Sequence, residues 1–527
     1  MLLAAFSGGL SINTAPHLIP PTAATVCNNV DLSNGILEPF KSPVKYIDAT
    51  DSKVVWYKNK YSFHPQNSIF CNMLDQAFVA TPEKTIQKTL DGEIWYNIAI
   101  ESPTQQLTIE PGPPNPQAEK PDTPVDIWGT FYGPDIRYCY TYYNANDGTE
   151  SAPSPFTAPV KVGEYVNGGE DQETSNDYIL YSYATIKDII ASDDPQVTHI
   201  RIYRMGGGIT TFSLVMQIPN ISSQVLDNTP SANLGNGITT IGYQVPPKVN
   251  YIATAYGMLF GCNENILYFS DENVPTNWNP LNYIVFDDNI VGIGCIQSGI
   301  LVFTRYRTYI IAGNSATTFY KQLLLDNIGC LSAGSILTNG SECIWQSDDG
   351  LYMYSNVGLQ NLSFSRVGNT LAPIKSCCLH NRTYYGLMED KIVCINFHLQ
   401  GAIYYLDYTA GTSIINAEAK VLVCNSKEVT EFAGAPMTMR YKTGWVASGG
   451  LSRLKTYKTF YVYAIGDISL KVYMSGELVA DTNLANAVNE VKIMQGNTQG
   501  YYIEFEVTGT GELYEIEYVQ EYRQNGR

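Results

Sequence analysis

The chain has 527 residues, and 50 acidic against 32 basic side chains leave a formal charge of −18. Such a balance disfavours gripping nucleic acid, because phosphates repel it without a compensating basic patch. Hydrophobic residues at 44% exclude general disorder, while 39 Tyr and 43 Gly favour strands and turns over helices.

The opening MLLAAFSGGL lacks a cationic stretch, and its apolar run ends at Ser7, short of a signal-peptide core. No apolar run reaches the length of about 18 residues that a spanning helix needs. The longest, 290–304, is broken by Gly292, Gly294, Gln297, Ser298 and Gly299. No membrane span is therefore expected. Residues 1–45 read as an extended N-terminal arm. DSKVVWYKNKYSFH at 51–64 is a strand, a polar turn and a second strand, and opens a segment, 46–110, expected to be the first part of a β-propeller.

PGPPNPQAEKPDTP at 111–124 reads as a stiff proline linker that cannot enter a central sheet. Residues 125–247 are expected to form an inserted β-sandwich. Its strands are IRYCYTYY, with an Asn/Asp/Gly turn and the exit GTESAPSP, then THIRIYRM and TFSLVMQIP. In THIRIYRM, Ile200 and Ile202 face inward, with Arg201 and Arg204 outward. The one helical pattern is a turn or two at 186–191.

From 248 to 435 a repeat takes over. YGMLFGCNENILYFS, GILVFTRYRTYIIAG, SECIWQSDDGLYMYS, NRTYYGLMEDKIVCINF and AKVLVCNSKEVTEF are all strand–turn–strand units. They start near 257, 299, 341, 382 and 420, in steps of 42, 42, 41 and 38. Periods of roughly 40–45 residues with all-β content mark propeller blades. Residues 436–527 alternate instead: Leu470, Val472 and Met474, then Ile503, Phe505 and Val507 against Glu504 and Glu506, then Tyr514, Ile516 and Tyr518. That is a half-buried antiparallel sheet, and a C-terminal β-sandwich is expected. The fold class is all-β.

Chemistry-bearing residues are scattered. His17, His64, His199, His380 and His398 have no metal-ligand spacing, and no nucleotide loop or nucleophile elbow occurs. Gly206–Gly208 follows a strand and precedes another, so it reads as a hairpin turn and not as a phosphate cradle. Asp193–Asp194, Asp287–Asp288 and Asp348–Asp349 are carboxylate pairs, which do acid/base work only at defined separations in a cleft. Ser347 to Gly350 resembles a sialidase Asp-box, but Gly350 comes one position early, and a turn is the better reading. Tyr140, Tyr142, Tyr143, Tyr461 and Tyr463 suit base or sugar stacking, a sandwich face or a subunit interface. Arg440, Lys442, Arg453, Lys455 and Lys458 form the one basic run, facing nucleic acid, an acidic partner or solvent. The 11 cysteines show no framework and read as small buried hydrophobes in a reducing compartment. No catalytic, cofactor-binding or metal site is expected.

FSGGLSINTAPHLI at 6–19 with NNVDLSNGILEPF at 28–40, GTESAPSP with HIRIYRMGG, ILYFSDENVPTNWNP at 266–280, and YKTGWVASGGLSRLKTYKTFYVY at 441–463 together resemble the tail nozzle proteins (tail tubular protein B) of short-tailed double-stranded DNA phages. The resemblance implies a structural virion subunit, assembled in the host cytoplasm and without catalytic residues. It implies a homo-hexameric ring that meets the adaptor and the tail fibres or spikes. Double-stranded DNA would pass through its lumen without specific binding. It also implies a fibronectin-like inserted module. The alternative is a carbohydrate-binding or carbohydrate-cleaving propeller of a phage tail, which would gather acids in one cleft.

Overall fold

The computed structural model describes residues 2–522 apart from 4–5, 83, 115–135, 161–163, 167–177, 181, 207–208, 230, 448–449 and 493–498. It is nearly all β; the described residues include one four-residue α-helix, Phe364–Val367. All six hairpins expected from the sequence are present. Four are the middle pair of a four-stranded antiparallel sheet, and a fifth, Thr383–Leu387 with Lys391–Asn396, lies among the first four strands of a ten-stranded sheet. Met258–Asn263 and Ile266–Phe269 lie between Tyr251–Ala255 and Tyr283–Val285. Gly299–Thr304 and Arg307–Ala312 lie between Ile290–Ile296 and Tyr320–Asp326. Glu342–Ser347 and Gly350–Ser355 lie between Leu337–Thr338 and Gly358–Asn361. Thr383–Leu387 and Lys391–Asn396 lie between Ser376–His380 and Ala402–Asp407. Lys420–Cys424 and Glu428–Pro436 are flanked by Ser413–Ala417 and, from far upstream, by Lys41–Asp48.

Burial explains why the middle strands carried the signal. Gly299–Thr304 and Thr383–Leu387 are buried at every position, whereas the outer strand Tyr320–Asp326 is mostly exposed and its apolar pattern is diluted. The upstream hairpin is a two-stranded sheet, Lys53–Tyr57 and Lys60–His64. A further four-stranded sheet, Ile69–Met73, Gln76–Ala80, Gln87–Thr89 and Tyr96–Asn97, lacks the repeat's turn chemistry. Its first turn is Leu74–Asp75, both left-handed (φ 52° and 58°), a conformation that sequence reading assigns to Gly or Asn.

The first strands of these sheets are neighbours. Ile69–Met73 lies beside Tyr251–Ala255, which lies beside Ile290–Ile296. Leu337–Thr338, Ser376–His380, Ser413–Ala417 and Lys53–Tyr57 continue the series. Residues at or next to all seven first strands line one or both of two inner cavities, of about 1250 Å³ and about 360 Å³.

Two three-stranded sheets lie in the inserted region. One is Thr108–Pro114, Ser182–Ile189 and Ser223–Asp227; the other is Arg137–Tyr143, His199–Gly206 and Ile209–Pro219. Tyr138, Tyr140, Tyr142, Ile186, Ile200 and Ile202 pack between them. Three expectations change here. Residues 111–114 of the expected linker are strand, with Pro111 opposite Ala184; they are tolerated because this is an edge strand, where missing N–H donors face no partner. The rest of the linker lies outside the described residues. The expected helical turn at 186–191 falls largely in the strand Ser182–Ile189. Arg204 points inward at 1% exposure, because Asp227 meets it at 2.6 Å and also accepts the Tyr138 hydroxyl at 2.8 Å.

The exit GTESAPSP runs along the free edge of Arg137–Tyr143 in steps of three. Ser151, Ser154 and Thr157 each donate a backbone N–H, to Tyr142, Tyr140 and Tyr138. Their hydroxyls accept the N–H groups of the same three tyrosines at 3.0, 3.1 and 2.9 Å. Side-chain oxygens thus satisfy an edge that proline-rich backbone cannot fully pair.

The C-terminal strands lie in two sheets, the first of them continuous, through Ala23–Asn28, with the sheet that holds Ser376–His380 to Ala402–Asp407. Met439–Thr443, Ile503–Gly509, Ile468–Met474 and Glu477–Leu484 form one; Leu2–Leu3, Glu512–Tyr522, Lys455–Ile465 and Ala487–Lys492 form the other. The inward set Leu470, Val472, Met474, Ile503, Phe505 and Val507 is buried as expected. Tyr514 departs from it: the register shifts between Tyr463 and Ala464, so Leu513 takes the inward place. The N-terminal arm is no free extension. Ala23–Asn28 pairs with Met439–Thr443 on one side and reaches Tyr405 on the other. Phe6 is fully buried edge-on to Tyr441 at 5.6 Å. Gly9 (φ 67°) needs its missing Cβ, which would sit 2.7 Å from the backbone of Ile403.

Lys88 fastens the insert to the sheet before it. Its ammonium meets Asp147 at 2.5 Å and Thr149 at 2.6 Å, with both charged side chains at most 2% exposed. Removing one partner strands a buried charge. Lys88→Met is expected to lower stability in urea unfolding by about 3–5 kcal/mol, and Lys88→Met with Asp147→Leu to recover much of that. A double variant as unstable as the single one would contradict this account.

Candidate functional site

The histidines separate into different surroundings. His64 is 6% exposed, edge-on to Trp95 at 4.7 Å and bonded to Ser62 at 3.1 Å; burial lowers its pKa to about 4. His17 sits against Trp445, and His199 bonds Thr198. His380 and His398 both line a cavity of about 520 Å³ with Asp31, Tyr385, Tyr404 and Phe432. Sequence spacing could not bring them together, because they sit at the two outer ends of a hairpin.

The carboxylate pairs are divided among separate partners. Asp348 holds Arg305 through two bonds of 2.5 and 3.0 Å, while Asp349 accepts the Tyr352 hydroxyl at 2.6 Å. Ser347 pairs with Gly350, so Asp348–Asp349 is the two-residue hairpin turn that the residues suggested. Asp287 faces Tyr309 at 3.4 Å, and Asp194 accepts from Gln196 at 2.9 Å. Gly206 pairs with Ile209 across a turn whose residues 207–208 lie outside the described set. Tyr140 and Tyr142 are core residues, Tyr143 is covered by the Arg201 guanidinium at 3.3 Å, and Tyr463 lies 4.8 Å from Tyr514. Only Tyr461 of this set is exposed, at 40%.

The basic run is largely neutralised inside the chain. Arg440 pairs with Glu506 at 2.9 Å, and Lys442 with Glu504 at 3.7 Å while lying over the Tyr473 ring. Lys455 is fully buried and donates to the carbonyls of Gly450, Arg453 and Tyr501. Arg453 is exposed, and the Lys458 side chain lies outside the described residues. Glu504 and Glu506, read from alternation as an outward acidic face, are what hold these cations. All eleven cysteines are free thiols, and burial raises Cys330 and Cys377 to about 12.

The residues that sequence reading passed over are the lysines of the large inner cavity. Lys53, Lys248 and Lys375 line it with one carboxylate, Glu264. Each stands at or just before the start of a first strand, a position visible only once those strands are located.

No family model and no curated protein matches the chain. Solved structures do. A nidogen/laminin complex chain aligns at 9% identity and TM-score 0.27, over 46% of this chain and 86% of that one. Hsv2 of Kluyveromyces marxianus aligns at 10% identity and TM-score 0.25, over 49% and 71%. PorZ, a surface component of the type-IX secretion system of Porphyromonas gingivalis, aligns at 10% and 0.25, over 58% and 43%.

His64 supplies a pH test. Its folded pKa of about 4 lies below the ordinary 6.5, so the unfolded chain takes up the proton first as pH falls. Stability is therefore present above 6.5 and lost toward 4, by up to about 3 kcal/mol in total. His64→Gln should flatten that part of the urea-midpoint profile; an unchanged slope would refute the assignment.

Proposed function

We propose that the seven sheets about the inner cavities form a β-propeller, that the insert is a fibronectin-like sandwich, and that a second sandwich ends the chain. We infer that the protein is a structural subunit of a phage tail nozzle, a hexameric ring in the virion tail through which DNA is ejected. The observation that carries this reading is that its resembling segments, far apart in sequence, pack on one another in pairs. Glu150 of GTESAPSP meets Arg201 of HIRIYRMGG at 2.8 Å. Trp445 of YKTGWVASGG donates its backbone N–H to Pro16 of the N-terminal segment at 2.9 Å. Segments that resemble one family and that pack on one another are what a common architecture would produce.

Charge suits a conduit. A duplex binder places cations on phosphates and loses affinity steeply with salt, whereas contacts of that kind would brake a sliding genome. At −18 per subunit a ring carries a repulsive field, screened over about 10 Å at 0.1 M salt. The adaptor ring and the fibres or spikes are the protein partners on this reading. The second reading, a carbohydrate-binding propeller, is favoured by the aromatic-lined cavity around His380 and His398, and glycan-array binding lost in His398→Ala would support it.

Two measurements test the nozzle. A virion tail reconstruction should place this chain in a layer with sixfold symmetry; threefold or twelvefold symmetry there would sink the assignment. The purified chain should show no affinity for linear duplex DNA at physiological salt. Micromolar, salt-dependent binding abolished by Arg453→Ala would move that surface into the channel.

A further inference from the structure

A cavity in a chain this acidic would be expected to carry acids, yet the one between the first strands gathers cations. Lys53, Lys248 and Lys375 line about 1250 Å³ with Glu264 as the sole lining carboxylate among the described residues. Lys375 is held by Glu389. Lys53 is half-buried and has no acidic partner among the described residues, and burial pushes its ammonium below the usual lysine range. A desolvated cation without a counter-charge is costly, and an anion from outside would relieve that cost. The remaining polar lining, including Asn67, Asn250, Ser332 and Ser376, is uncharged and offers amide and hydroxyl groups.

The lining holds lysines and no arginine. Lysine is a point charge that meets phosphate oxygens from any direction, and several such charges favour the more highly charged anion, a polyphosphate over a carboxylate. The volume exceeds that of an inorganic phosphate and lies above the usual range of small-molecule sites, about 300–1,000 Å³, so a ligand would fill only part of it. We propose that this cavity binds a phosphorylated small molecule, with Lys53 and Lys248 as the principal anion contacts and Lys375 as the third. The site is independent of the nozzle reading and stands or falls separately from it.

The test is calorimetric titration of the full chain with tripolyphosphate, with citrate at matched ionic strength as the carboxylate arm. Saturable tripolyphosphate binding is expected, weakened about tenfold by Lys53→Gln or Lys248→Gln and unchanged by Lys492→Gln on the surface. Lys53→Met without ligand should melt no lower than the parent chain, because it removes an uncompensated charge. If Lys53→Gln does not fold, Lys248→Gln decides alone. Absence of saturable binding, equal binding of citrate, or equal weakening by Lys492→Gln would overturn the proposal. So would displacement of tripolyphosphate by duplex DNA, or a large drop in melting temperature for Lys53→Met.

Discussion

The pairing of Lys41–Asp48 with Glu428–Pro436 is the contact on which the rest of the architecture depends. A four-stranded sheet made only from contiguous chain leaves its outer edge unpaired, and unpaired edges invite other chains. Here the last sheet of the repeat takes its fourth strand from almost four hundred residues upstream. The chain is thereby tied across the whole repeat, and residues at its first and last sheets line the same cavity. The neighbouring segment extends the principle. Ala23–Asn28 joins Met439–Thr443, and Leu2–Leu3 joins Glu512–Tyr522, so the N-terminal forty residues complete sheets whose other strands come last in the chain.

Such closure has a kinetic consequence. Long-range strand pairing must overcome loop-closure entropy before its contacts reward it, so these seams form late. Until they form, Phe6, Leu10, Cys27 and Val30 and the strands that receive them are exposed. The insert is spared this dependence for the most part, since its described strands pair with one another, and the Lys88–Asp147 pair and the Gln196 contact to Asn97 attach it to the sheet before it. A buried ion pair at a junction gives orientation more reliably than stability, because desolvation offsets much of its attraction.

Charge is arranged on the same economical lines. Although the chain is strongly acidic overall, several of its cations are paired or enclosed within the fold. Arg440 and Lys442 lie over Glu504, Glu506 and Tyr473 on one sheet face, and Lys455 is enclosed by three carbonyls. The cavity lysines Lys53 and Lys248 have no carboxylate partner among the described residues. Cations gathered at a cavity of an otherwise acidic chain favour a small anion that can enter over a large one that must approach the whole surface.

Sequence alone determined the β character, the five hairpins of the repeat, and the inward residues of the C-terminal sheets. These are local properties: two-residue alternation and turn chemistry are written in a few consecutive side chains. The outer strands escaped because one exposed face dilutes the alternation, and the sheet at 69–97 escaped because Leu74–Asp75 adopts a left-handed turn without glycine. Arg204, Tyr514 and the prolines at 111–114 were misplaced for a related reason, since a buried counter-ion, a bulge and an edge position are set by the partner strand. Which histidines share a cavity, which cations are neutralised and which lysines line the interior were decided only by tertiary structure. Each of these depends on residues separated in sequence being brought together by the fold, and no local pattern records that approach.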